Sequence, residues 1–194
     1  GCALVVEVAR LLAQVEADLD TRVRCMTFGS EEIGLQGASH AASVLDLDDV
    51  RCVLNADGAG RARRLSVGTN ASPALESLFT DVAEELAVPL STDDVVTPHG
   101  DQWAFVQEGV PGVMVSSTNP DKSGRGWGHT HADTLDKVDG RDLRAHAAFL
   151  AETAVRAAAA GADFGHRSRE EVRDLVDEGY EKELRMGGRW PYDD

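Results

Sequence analysis

Val23-Arg24-Cys25-Met26-Thr27-Phe28-Gly29-Ser30-Glu31-Glu32-Ile33-Gly34-Leu35-Gln36-Gly37 changes character twice within one short run. Val23 to Phe28 reads as a mostly buried strand, stopped by Gly29. Two adjacent carboxylates follow on a turn. From about Leu35 to Leu45 the residues are small and apolar enough for a helix. A strand, a turn and a helix in that order form the repeating unit of an α/β layered domain.

The same alternation extends in both directions. Upstream, Leu4, Val8, Leu11, Leu12 and Val15 fall at helical spacing and form one apolar stripe. Downstream, Arg51 to Ala56 is a second strand ending at Asp57-Gly58, and Leu65 to Val67 a short third. Ser72-Pro73 starts a helix, with Ser as N-cap and Pro in the first turn, and Leu75, Leu78, Phe79, Val82 and Leu86 are its stripe. A strand near Val88 to Val95, a short helix from Trp103 to Gln107 and a buried strand from Gly112 to Ser116 follow. Ser117 to Gly128 is rich in Gly, Pro, Asn and Asp and reads as a loop. A long helix is expected from about Arg141 to Ala160. These elements predict an α/β domain with a largely parallel sheet over residues 1–163. Beyond Gly161 the composition shifts: Ser168-Arg169-Glu170-Glu171 resembles a capping box, and one charged helix is expected to about Arg185. Residues 164–194 are therefore read as a charged helical C-terminal appendage.

Composition narrows the function classes. With 42% hydrophobic residues in 194, the chain supports one ordinary core. A net charge of −15 repels nucleic acid and anionic membranes, which are set aside as partners. No run approaches the ~20 apolar residues of a membrane span. Lys122, Lys137 and Lys182 are the only lysines among 19 basic residues, and this acidic, Lys-poor balance predicts a salt-adapted (halophilic) protein. Cys2, Cys25 and Cys52 are an odd number, against a closed disulfide framework; Cys25 and Cys52 are read as small buried hydrophobes in strands. Neither an initiator Met nor a basic-then-apolar signal segment opens the chain, so the numbering is expected to start inside a longer protein.

In parallel sheets functional groups gather beyond the carboxyl ends of strands. Glu31-Glu32, Asp57, and His129 with His131 fall at such places, and His99 with Asp101 lies in another loop. Singly, each is the ordinary content of a turn or surface loop. Together they are the carboxylate and imidazole donors that zinc takes, with room for a water whose proton a neighbouring carboxylate can accept.

Thr27 to Gly37 resembles the signature of the co-catalytic, two-zinc aminopeptidases, a metallopeptidase family with carboxypeptidase Q and glutaminyl cyclase relatives. Leu54-Asn55-Ala56-Asp57 resembles the family's next block, and Gly128-His129-Thr130-His131-Ala132-Asp133-Thr134 its His-Thr-x-x-Asp-Thr block, in the family's order over about residues 1–160. The resemblance implies a three-layer α/β/α sandwich around a mixed, mostly parallel sheet. It implies two zinc ions, a peptide substrate and hydrolysis of terminal peptide bonds. By position it implies that Glu31 is the general base, that Glu32 and His129 hold one zinc and that Asp57 holds the other. Asp133 is expected to orient the loop, and Asp101 and Trp103 to line the pocket; His131 falls at a variable place. Where the family reads Ser-Asp, this chain has Gly100-Asp101. Gly1 to Val8 resembles the Gly and apolar helix that follow the family's metal-bridging Asp, which with a His-x-Asp block is expected upstream of Gly1. Two rival readings are a glutaminyl cyclase-like acyl transfer and a non-catalytic module of the same fold.

Overall fold

The computed structural model describes residues 1–16, 19–119, 121 and 126–193. Its helices are α1 (Cys2–Leu12), α2 (Gln36–Val44), α3 (Pro73–Glu85), α4 (Trp103–Val106), α5 (Gly140–Ala157), α6 (Arg169–Arg173) and α7 (Glu178–Met186). Its strands are β1 (Val53–Ala56), β2 (Arg64–Gly68), β3 (Leu90–Asp93) and β4 (Gly112–Thr118). The strands form one sheet in the order β1-β4-β2-β3. β1 runs parallel to β4 and β2 parallel to β3, whereas β2 and β4 are antiparallel, so the sheet is mixed and mostly parallel as expected.

Local chemistry sets the helix starts. Ser72 Oγ accepts from the Leu75 N–H at 3.4 Å, with Pro73 in the first turn of α3. Asp139 caps α5 by accepting from Arg141 N–H at 2.8 Å. Side-chain alternation then sorts the sheet's two faces. Val113 and Val115 of β4 are fully buried among Leu65, Val67, Phe79 and Phe149, beneath α1, α3 and α5. The Phe79 and Phe149 rings lie 5.8 Å apart and tilted, and burying each such ring contributes roughly 1.5–3 kcal/mol. Beside the sheet, Ala38 and Ala41 of α2 pack with Ala104 and Phe105 of α4 and reach Val53 of β1. Helical layers thus cover the sheet on both sides.

The structure differs from expectation in three places. Residues 22–28 belong to no regular element, and among the described residues no strand pairs with them. An extended segment becomes a strand only with a ladder partner; here Met26 and Phe28 pack on the α2–α4 cluster, while Cys25 is exposed rather than buried. The charged C-terminal helix is two helices, α6 and α7, interrupted where Val176 makes a parallel bridge to Val96. The predicted loop begins later, because β4 continues to Thr118; residues 120 and 122–125 of that loop lie outside the described residues.

Candidate metal centre

β1 delivers Asp57 by continuing its pairing one step past the strand: the Asp57 N–H donates to Val115 O at 2.9 Å. Gly1, the N-cap of α1, abuts the same strand end so closely that a Cβ would stand 2.2 Å from Ala56 O.

Glu31 and Glu32 sit on the turn between the extended segment and α2. The carbonyl of Glu31 accepts from the N–H groups of Gly34 at 3.0 Å and Leu35 at 2.9 Å. Ser30 and Leu35, on either side, are both left-handed, at φ 63° and 57°. His129 is left-handed too, at φ 62°. Non-glycine residues in that region cost conformational energy and gather at functional sites.

The turn and the His129 loop meet. His129 Nε2 stands 2.7 Å from Glu32 Oε1, both side chains more than half exposed. Glu31 is half-buried among acidic neighbours. Desolvation first, then the charges of Glu32, Asp57 and Asp101, push its carboxyl above the ordinary range, with His129 opposing. Asp101 is raised as well, by desolvation and then by Asp57. Its Oδ1 is buried and, among the described residues, has no hydrogen-bond partner. The structure therefore brings Glu32, Asp57, Asp101 and His129 within electrostatic reach of Glu31.

These are donor types that zinc takes, and Glu32 and His129 are two of them already in contact. Among the described residues no group of three or more His, Cys, Asp or Glu side chains is gathered tightly enough to hold a metal by itself. The fit to zinc thus rests on the Glu32–His129 pair and on the orphaned carboxylate oxygen of Asp101 beside Asp57.

A family model described as peptidase family M28 matches residues 1–154. The chain belongs to peptidase family M28. Among solved structures, this M28 chain is similar to an aminopeptidase from Aneurinibacillus sp. strain AM-1, at 26% identity and a TM-score of 0.62, covering 85% of this chain and 40% of that one. It is similar in fold to a peptidase M28 precursor from Shewanella amazonensis SB2B (24% identity, TM-score 0.62, 85% of this chain and 38% of that one). A zinc aminopeptidase from Bacillus subtilis shares the fold at 21% identity and a TM-score of 0.59, over 78% of this chain and 38% of that one. The chain therefore spans about two fifths of the length of these structures. No curated protein matches it.

The M28 chain's remaining site residues divide. Gly100, in place of the family's Ser, has φ 90°, and a Cβ there would meet Gln102 Oε1 at 2.6 Å and Met114 Sδ at 3.1 Å. Next to it Gln102 is fully buried: its Oε1 accepts from Asn55 Nδ2 at 2.9 Å and its Nε2 donates to His99 O at 2.6 Å. That bridge ties β1, which leads into Asp57, to the Asp101 loop. The sequence reading missed Gln102, although a polar residue between Asp101 and a buried apolar run was its signal. Trp103 does not line an open pocket; it is buried, packing with Leu35, Val106 and Leu184, because an indole between two apolar helices gains more by burial than by exposure. Asp133 is exposed, and among the described residues its carboxylate has no hydrogen-bond partner. Thr130 holds that turn instead, its Oγ1 donating to Trp127 O at 2.6 Å and accepting from Ala132 N–H at 3.2 Å. His131 is exposed on the same turn.

Proposed function

We propose that this protein is a zinc-dependent exopeptidase of the aminopeptidase type. The observation that carries the reading is the direct meeting of Glu32 with His129 beside a half-buried Glu31 whose carboxyl is pushed upward by its acidic surroundings. Two adjacent glutamates divide the work. Glu32 faces His129 and is a ligand, with His129 the second; Asp57 is assigned to the other of two ions. Zinc, when bound, supplies an activated water and polarises the scissile carbonyl.

Glu31 is the general base. A carboxyl raised above its ordinary range is better matched to proton transfer near neutral pH than a free surface glutamate. It takes the proton of the attacking water and returns it to the leaving amine, so it ends the cycle as it began. Asp101, a carboxylate not assigned to either ion, is left to face a cationic group, which suits a substrate carrying a free α-amino terminus.

Zinc titration tests the ligand assignment. Glu32→Ala and His129→Ala are each expected to lower zinc content in the full-length protein, and unchanged metal content in either would remove that residue from the ligand set.

A further inference from the structure

The chain beyond residue 154 lies outside the family match, yet it is fastened to the loops that carry the site. Val176 pairs with Val96 in a parallel bridge. His99 Nε2 lies 2.9 Å from Glu183 Oε1, and the His99 ring meets Tyr180 edge-on at 5.4 Å. At the far end of the same loop and α4, the Arg167 N–H donates to Gly109 O at 3.0 Å and Tyr192 Oη donates to Gln107 O at 3.3 Å. Residues 96–109, with Asp101 among them, are thus held at several points along their length.

The apolar side of this contact reaches the catalytic turn. Val172 of α6 and Leu184 of α7, both fully buried, form one cluster with Val96, Trp103, Val106 and Leu35. Leu35 is the link. It is buried, it is left-handed at φ 57°, and its N–H donates to the carbonyl of Glu31 at 2.9 Å. A leucine holds that backbone region only when its surroundings over-determine it. Burial in the cluster that α6 and α7 complete is what holds it there. The side chain that fixes the Glu31–Glu32 turn is therefore anchored by the C-terminal segment.

We propose that residues 168–193 are a brace for the catalytic turn, and that Leu184 is a positioning residue acting through Leu35 on Glu31 and Glu32. The proposal rests on reading that turn as the base-and-ligand pair. Without the brace, Leu35 loses its burial and relaxes out of the left-handed region, and the carboxylates move with it. Such indirect supports of metal ligands are typically worth ten- to a hundred-fold in metal affinity.

The test compares three variants of the intact protein under conditions where all are folded. Leu184→Ala empties the brace, Leu184→Met refills it, and Leu75→Ala makes a cavity in the separate core beneath α3. Amide hydrogen exchange at Gly34 and Leu35 is read in chelator, and zinc affinity by competition with a chelating dye. Leu184→Ala is expected to speed exchange at both amides at least about ten-fold and to weaken zinc by roughly ten-fold. Leu184→Met restores both, and Leu75→Ala moves neither. Wild-type exchange at both amides in Leu184→Ala, or equal loosening in Leu75→Ala, would overturn the brace. Should the wild-type protein take up no zinc, the metal reading fails, while the exchange measurement still decides the brace. If Leu184→Ala does not fold, Leu184→Val carries the same comparison.

Discussion

Around Phe79 and Phe149 the side chains are apolar and fully buried, and their helices keep ordinary geometry. Around Glu31 and His129 the backbone turns left-handed at Ser30, Leu35 and His129, and the charges of Glu32, Asp57 and Asp101 act on the Glu31 carboxyl. The first region is where the fold gains stability; the second gives stability up to hold charges close together. That contrast is what a binding or catalytic site on a rigid scaffold requires. It also separates the two regions experimentally, since damage to one should read out differently from damage to the other.

Phe149→Ala should give the largest change in stability, a loss of about 3–5 kcal/mol by denaturant unfolding, with zinc affinity per folded molecule unchanged. A fall in affinity would show that the core and the site are not separable. An intermediate effect is expected from salt. The net charge of −15 makes self-repulsion part of the folded state, so melting temperature should climb between low and molar KCl; a flat response would end the halophilic reading. The smallest effect is the most diagnostic of crowding. Glu31 binds its proton more tightly folded than unfolded, so ionising it costs folding stability as pH rises past the ordinary carboxylate range. In chelator, Glu31→Gln should therefore raise the melting temperature at pH 7–8. The gain should fade as pH falls toward the ordinary carboxylate range and be absent below it, where the carboxyl is protonated in both states. A melting temperature lowered at pH 7–8 would mean that Glu31 is a stabilising partner and not a crowded charge.

Features decided within a few residues were legible in the sequence. The Ser72-Pro73 helix start and the Ser168–Glu171 capping box form as read, because cap and amide lie within one turn of each other. The strands β1 to β4 were legible as short runs between turn residues, with Gly112 to Ser116 read as buried. Features decided by a distant partner were not. The Val23–Phe28 run has strand chemistry but no ladder neighbour among the described residues, and the expected single C-terminal helix breaks where Val176 bridges to Val96. The same division runs through the site. The turns that carry Glu32 and His129 are local motifs, but that the two meet was implied only by the family resemblance, and the long-range fold brings them together. The burial of Trp103, the bridging role of Gln102 and the left-handed Leu35 depend on long-range packing that no local spacing reveals.

The central claim is that Glu31 and Glu32, adjacent in sequence, do different jobs. Zinc content and peptidase turnover measured side by side on full-length Glu31→Gln test it most directly. The account predicts that zinc stays bound while turnover is abolished. Near-normal turnover, or zinc lost along with activity, would contradict the assignment of Glu31 as the base.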